Sequence, residues 1–497
     1  MIRPAFALAA ALLAGCASVV PPFDANLASD SPAVRDCAQW YRELDRRIDE
    51  SGVRDGQYSR IDGFPYLRVD RLLASLAGAA ARSDSTFNAY AERLLGLELD
   101  ARRHEIENLP DEPARAMALA RTQSCARVLR DADLAKPPLR AALLERARVP
   151  DDYSLAARAV GLYPVTRLFF SDGVRRWEEE ARAGFAAAGE PPPQGTVVRF
   201  SPPPAAPALG REAAAALIGR AELDPLGIPQ LSERELARFA AAYAPTLEVT
   251  IGGDYDRFGE LRWRRGPAVP QVNAADPVVY VQQAHTRGRD AAGSERILLQ
   301  LVYTLWFSER PPEREGDILA GALDGLVWRV TLAPDGEPLV YDSIHPCGCY
   351  HQFFPTPRAH PRPAPDAREE WAFVPARLGR VGDGERPVVR IASRTHYIER
   401  VALERDAGVV RYAFRDYGDL RSLPLMEGGR RSIFAPDGLV AGTERPERFL
   451  FWPMGIRSAG AMRQWGRQAT AFVGRRHFDD ADLLERRFEL DWRGSAP

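Results

Sequence analysis

Lysine is almost missing from this 497-residue chain: of 66 basic residues only Lys136 is a lysine. Covalent catalysis through a lysine Schiff base therefore has almost nothing to work with. The arginines that replace lysine come with abundant Ala, Gly and Pro, the composition of a GC-rich coding sequence. They are balanced by 68 acidic residues, for a formal net charge of -2. That balance argues against a dedicated nucleic-acid binder, which needs a net basic surface. Histidine and cysteine are scarce, with seven and five residues. No apolar run after the N-terminus reaches the ~18 residues that would mark a spanning helix.

Familiar catalytic signatures are missing too. There is no P-loop and no GxGxxG, so nucleotide binding has no support. His104-Glu105-Ile106-Glu107-Asn108 lacks the second histidine of HExxH. Ser458 has Gly460 behind it but Ile456 before it, which is not a nucleophile elbow. Asp254, Asp256 and Gly259 echo the start of a calcium loop, but Phe258 and Arg265 stand where oxygen ligands are needed. That stretch reads as a turn.

What is present begins with a localisation signal. Met1 to Cys16 carries one early charge, Arg3, then an apolar run from Ala5 to Leu13. The run is too short to span a bilayer and reads as a signal h-region. It closes on Leu13-Ala14-Gly15-Cys16, which resembles the lipobox of bacterial lipoproteins. The resemblance implies acylation of Cys16. Ala17 and Ser18 follow in place of the aspartate of inner-membrane retention, implying an outer-membrane anchor that faces the periplasm. The membrane partner is then the lipid anchor itself.

An oxidising periplasm reframes the remaining cysteines. Cys37 lies on the stripe Cys37, Trp40, Tyr41, Leu44, Ile48, spaced as one helix face. Cys125 lies in a second helical pattern with Met117, Val128 and Leu129. Two buried helix faces with one cysteine each suit a Cys37–Cys125 bridge, which would contribute roughly 4 kcal/mol in the loop-entropy model.

The expected architecture is α+β and multidomain, with an N-terminal α-helical domain before a mainly antiparallel β domain, sandwich-like or an open barrel. The divisions are 1–16 signal, 17–33 tether, 34–189 helical domain, 190–210 Pro-rich linker, 211–245 connecting helices and 246–497 β-rich domain. Phe87, Tyr90, Ala91, Leu94 and Leu95 form one helical stripe, and Val174, Trp177, Ala181 and Phe185 another that stops by Gly189. Pro191–Pro193 and Pro202–Pro204 flank a strand candidate at Val197–Phe200. Ser232 and Glu235 form a capping box for a helix that ends by Pro245. Beyond 246 the period becomes two, through 299–308, 326–332, 339–344, 388–398 and 410–414. Such alternation predicts one buried and one solvated face. Phe449–Trp452 is a short apolar run.

One segment concentrates chemistry: Asp342-Ser343-Ile344-His345-Pro346-Cys347-Gly348-Cys349-Tyr350-His351. On an extended strand His345 and His351 would lie ~20 Å apart. Pro346 and Gly348 suggest a loop that folds the four His and Cys residues inward. The segment is open to three chemistries. His345, Cys347, Cys349 and His351 could ligate zinc or copper, with help from His285 or His396. Cys347 or Cys349 could be a thiolate nucleophile with a histidine base and Asp342 as orienter. Alternatively, Cys347 and Cys349 form a strained, reducible disulfide in a structural loop, which could also act as a redox switch. His396 shares a strand face with Arg390 and Arg394, where a solvated histidine is the common case.

Gly325–Thr331 and Pro338–Asp342 through His351 resemble a group of bacterial lipoproteins to which no activity is attached. The resemblance covers about the C-terminal half and implies an envelope protein without transferring a functional residue. The expected function is a binding or scaffold role in the cell envelope. The alternative is an envelope hydrolase or transferase that uses the His/Cys segment.

Overall fold

The computed structural model describes residues 22–492 except 111–113, 188–194, 205–208, 267–268, 291, 367, 383, 406–407 and 409. Cys16 and Gly189 lie outside the described residues. Part of the expected 17–33 tether is packed helix. Pro22–Leu27 is a short helix whose Asn26 amide donates to Asp133 at 2.8 Å, with Phe23 and Leu27 against the core.

The helices Pro32–Ser51, Arg71–Ala80, Asp84–Asn108, Arg115–Leu134 and Pro137–Arg146 share one apolar core. A hairpin, Ser59–Ile61 with Phe64–Val69, inserts Phe64, Tyr66 and Leu67 among them. Helix starts follow local chemistry. Ser83 and Thr86 form a capping box, and the Asp70 carboxylate accepts from the Leu73 N–H at 2.7 Å. Cys37 and Cys125 form the expected disulfide, joining Pro32–Ser51 to Arg115–Leu134 across 88 residues.

The later helices behave differently. Leu155–Val160 and Tyr163–Ala187 lie against the C-terminal half rather than on this core. Phe170 meets Phe451 and Phe472, Trp177 meets Tyr350 and Phe373, and Phe185 meets Phe354. The stripe read at Trp177 and Phe185 is real, but its partners are loop and strand residues far along the chain.

Two sheets carry the rest. The larger runs in the order Gln352–Pro355, Pro338–Ile344, Gly321–Leu332, Glu295–Arg310, Val278–Arg289, Ala413–Asp416. All its pairs are antiparallel except the last. The smaller runs Ile398–Arg405, Glu385–Ile391, Thr246–Ile251, Thr196–Ser201, Val410–Arg411, with two parallel pairs. The strand expected at Val197–Phe200 thus belongs to a sheet, although prolines bracket it. The capping box at Ser232 opens Glu233–Tyr243 as expected.

Leu299, Leu301, Tyr303, Leu305 and Phe307 face Leu247, Val249, Val389 and Ile391 of the smaller sheet. The opposite face is buried as well: Gln300, Val302, Thr304 and Trp306 are each covered. The solvated face expected from alternation is therefore absent on this strand, because irregular C-terminal chain around Phe478 and Met462 covers it. The run 388–398 is two strands and a turn at 392–397, not one strand. Phe449–Trp452 lies in a short helix and a 3-10 turn, with Phe449, Leu450 and Trp452 exposed. Among the described residues no helix is long and apolar enough to cross a membrane.

Candidate functional site

The site forms where the central strands of the larger sheet end. In Gly321–Leu332, Arg329 pairs in register with Asp342, and their side chains meet through two hydrogen bonds of 2.9 and 2.5 Å. Asp342 then accepts from His351 Nε2 at 2.9 Å. This triad is closed and fully buried. Burial, chiefly, pushes the His351 imidazole down to about 3, so it is neutral, and its Nδ1 has no partner.

Between Asp342 and His351 the chain makes a tight loop. The His345 N–H donates to the Cys349 carbonyl at 3.0 Å, and the Gly348 N–H to the His345 carbonyl at 2.8 Å. Gly348 has φ 95°, and a Cβ there would sit 2.3 Å from the Ala469 carbonyl oxygen, so only glycine fits.

The loop does not gather its four His and Cys residues. His345 Nδ1 contacts Asp324 at 3.1 Å while His351 turns to Asp342. Cys347 packs with Trp306, Leu323 and Met462. His285 lies elsewhere, beside Arg93 and Asp224, with burial lowering it to about 4. Among the described residues no group of three or more His, Cys, Asp or Glu could hold a metal ion. The residues expected as zinc or copper ligands thus do not fit such a site, because His345 and His351 turn to different carboxylates, Asp324 and Asp342, and His285 lies apart from both.

Cys347 and Cys349 are free thiols, and the Cys349 N–H donates to Cys347 Sγ at 3.4 Å. The hydrogen bond between the thiols, reinforced by burial, holds Cys349 well above the usual thiol range, while the same bond lowers Cys347. Cys347 is itself buried, so neither sulfur is a ready, exposed thiolate.

His396 does join His345, though not on a solvated strand face. It sits in the 392–397 turn at φ 54° and is fully buried, its ring stacked on Phe307 at 3.9 Å. His396 Nδ1 lies 2.9 Å from Asp324 Oδ2, and its Nε2 lies 3.4 Å from Asp256 Oδ1. Asp324 thus stands between two imidazoles, with the Arg445 guanidinium 3.5 Å away. Burial opposes ionisation of Asp324, yet His345 and Arg445 hold its carboxyl well below the usual range. Burial also opposes charge on His396, but hydrogen bonds to Asp256 and Asp324 raise it; His345 is lowered, chiefly by burial. Of the two imidazoles, His396 is the one whose carboxylate neighbours favour the charged form. Asp256, weighed above as a calcium ligand, instead accepts from Ser393 and the N–H groups of Gly252 and Arg394 at 2.7 Å each.

Backbone strain concentrates here. Among the described residues six non-glycine residues have positive φ, and Leu323, Tyr350, Arg394 and His396 all belong to this neighbourhood. Such conformations persist only where surrounding structure over-determines them, and they cluster at functional sites.

Above this buried layer lies a cleft of about 750 Å³. Its floor includes Arg310, Tyr350, Tyr397, Cys349 and Glu447. The rings of Tyr350 and Tyr397 are 4.6 Å apart, and His345 packs beneath both at 5.0 and 5.8 Å. Phe169, Trp177, Phe373, Phe451 and Phe472 wall it. Burial lifts the Glu447 carboxyl to about 7 against the pull of Arg445 and Arg310.

Sequence reasoning missed Asp324, Arg310, Tyr397, Arg445 and Glu447. Asp324 left a usable signal, a carboxylate inside the apolar strand pattern Gly321–Leu332; the others left none. No protein-family model, curated protein or solved structure matches the chain.

Proposed function

We propose that the chain is an outer-membrane-anchored periplasmic lipoprotein with a binding role in the cell envelope, and that the cleft over Tyr350 and Tyr397 is its ligand seat. The lipobox-like Leu13–Cys16 supports the anchor. The observation that carries the binding role is the cleft itself. A cavity of about 750 Å³ lined by aromatic side chains, with a few polar groups on its floor, suits a small ligand. The strained, interlocked Asp324–His396 layer beneath it supports a floor held in one geometry.

Two measurements test this reading. Cys16→Ser should leave the membrane fraction unacylated; retention in high salt would remove the anchor. Native mass spectrometry of protein released in mild detergent should find a small molecule whose occupancy falls in Trp177→Ala. Equal occupancy in that variant would place the ligand elsewhere.

The second reading, an envelope hydrolase or transferase, is favoured by one observation. A Glu447 carboxyl lifted to about 7 on the cleft floor is poised to exchange a proton near neutral pH. It relocates the chemistry from the His/Cys segment to Glu447. Turnover of envelope material that is lost in Glu447→Gln but kept in Cys347→Ser would support it.

A further inference from the structure

Arg310 is the unusual group in the cleft. It ends the strand Glu295–Arg310, lines the cavity and is only 1% exposed. One nitrogen, Nη2, donates to the Tyr397 hydroxyl at 3.2 Å, and the guanidinium lies 4.9 Å from that ring. The nearest carboxylate paired with it, Glu313, is 3.9 Å away and half exposed. Nε and Nη1 have no hydrogen-bond partner. A buried cation left this incomplete is costly unless something else completes it. The guanidinium fork matches a carboxylate or phosphate in geometry and charge.

Five glutamates line the cleft, and two of them are engaged away from Arg310. Glu370 accepts from the Phe472 and Val473 N–H groups at 2.6 and 3.0 Å, and Glu178 pairs with Arg182 at 3.4 Å. On the side of Phe169 and Leu450 the wall is apolar out to the surface. Phe169 and Leu450 line the cleft yet are 72% and 56% exposed. Beyond them Val165, Leu162 and Trp452 are exposed as well, on elements that pack together. An exposed apolar surface continuous with a pocket marks a binding region rather than scattered surface residues.

We propose that the cleft binds an amphiphile with one anionic head and an acyl-length apolar body. The carboxylate or phosphate head completes Arg310 beside the Tyr397 hydroxyl. The body lies along Trp177, Phe451 and Phe169 toward the exposed apolar face. The assignment rests on the reading of this cleft as a ligand seat, and it names the ligand class.

The test is calorimetric titration of the full chain with decanoate, decyl phosphate, 1-decanol, acetate and inorganic phosphate. Decanoate or decyl phosphate should bind at least tenfold more tightly than decanol, and acetate and phosphate should not bind at comparable concentrations. Arg310→Gln should lower decanoate affinity at least tenfold, to the level of decanol, and leave decanol unchanged. Trp177→Ala should weaken decanoate and decanol alike. Decanol equal to decanoate in the unaltered chain would overturn the anionic head while leaving an apolar ligand seat; this comparison stands even if Arg310→Gln does not fold. Acetate or phosphate binding as tightly as the decyl compounds would reduce the site to an anion pocket and overturn the amphiphile. Decanoate affinity unchanged in a folded Arg310→Gln protein would overturn the role of Arg310. No binding by any of the five would remove the ligand seat and the amphiphile together.

Discussion

The helical core and the cleft floor both bury arginine, and they treat it in opposite ways. Among the helices, Arg68 bridges Glu98 and Glu105 at 2.7 Å each. Arg102 reaches the same two carboxylates at 2.5 and 3.1 Å and Asp45 at 2.6 Å. Each cation has more than one anion, and the network closes on itself. At the cleft, Arg310 is equally buried but has one tyrosine hydroxyl and a distant glutamate. A closed network needs nothing further and holds helices in register. An open one is stable only as part of a surface that something else completes. The same contrast separates the self-contained Arg329–Asp342–His351 triad from Arg310 within one sheet.

The largest expected effect tests whether the helical region is held independently. Replacing Cys37 and Cys125 together by serine should lower unfolding stability by roughly 4–5 kcal/mol in the loop-entropy model. Denaturant melts should show the loss, while decanoate binding to the folded variant should stay near that of the unaltered chain. A large parallel loss of binding would mean the two regions are one cooperative unit.

Next in size is Glu98→Ala, which strips an anion from both Arg68 and Arg102 and should cost about 3–5 kcal/mol. A loss below about 1 kcal/mol would show that the helical network is no more committed to structure than the cleft is.

Asp324→Asn should cost about 2–3 kcal/mol, because it removes the charge between His396, His345 and Arg445. Its pH signature distinguishes it. The Asp324 carboxyl is held well below its usual range, so its contribution is present above about pH 4 and is lost as pH falls through the lowered value. His396 is raised, so its contribution is present below about pH 6.5 and is lost as pH rises through the raised value. Asp324→Asn should flatten both limbs of the stability profile. An unchanged profile would mean that neither group is coupled through Asp324.

The smallest change is expected at Arg310. Arg310→Gln should alter stability by less than about 1 kcal/mol, because an incompletely paired cation is removed along with its burial penalty. Calorimetric unfolding beside Arg68→Gln would sharpen the contrast. Equal losses at the two positions would mean that Arg310 is as structural as Arg68.

Local patterns were legible where neighbours in sequence are also neighbours in space. The helix stripe at Cys37 and the capping box at Ser232 appear as read, and Leu299–Phe307 is a strand as read, although both of its faces are buried. Pro346 and Gly348 mark the His/Cys segment as a loop, but spacing alone groups its side chains wrongly. Spacing cannot say that His345 turns to Asp324, 21 residues earlier, and His351 to Asp342. His396 departs from the solvated strand face that alternation predicts because 392–397 is a turn that reverses the chain between two paired strands. The cleft itself draws on the Tyr163–Ala187 helix, strand ends and the irregular segment near 447–476, which share no local pattern.

By itself the sequence determined the α+β class, the order of helices before sheets and the cysteine pair that bridges two helices. Those follow from periodicity and from residues close in the chain, where backbone geometry dictates which side chains share a face. Only the tertiary structure decided which carboxylate each histidine meets, which buried arginines are fully paired, and that an aromatic wall from one helix stands over the end of a distant strand. Such partners are selected by the packing of whole layers, and the free energy of pairing depends on burial and orientation that no local pattern encodes.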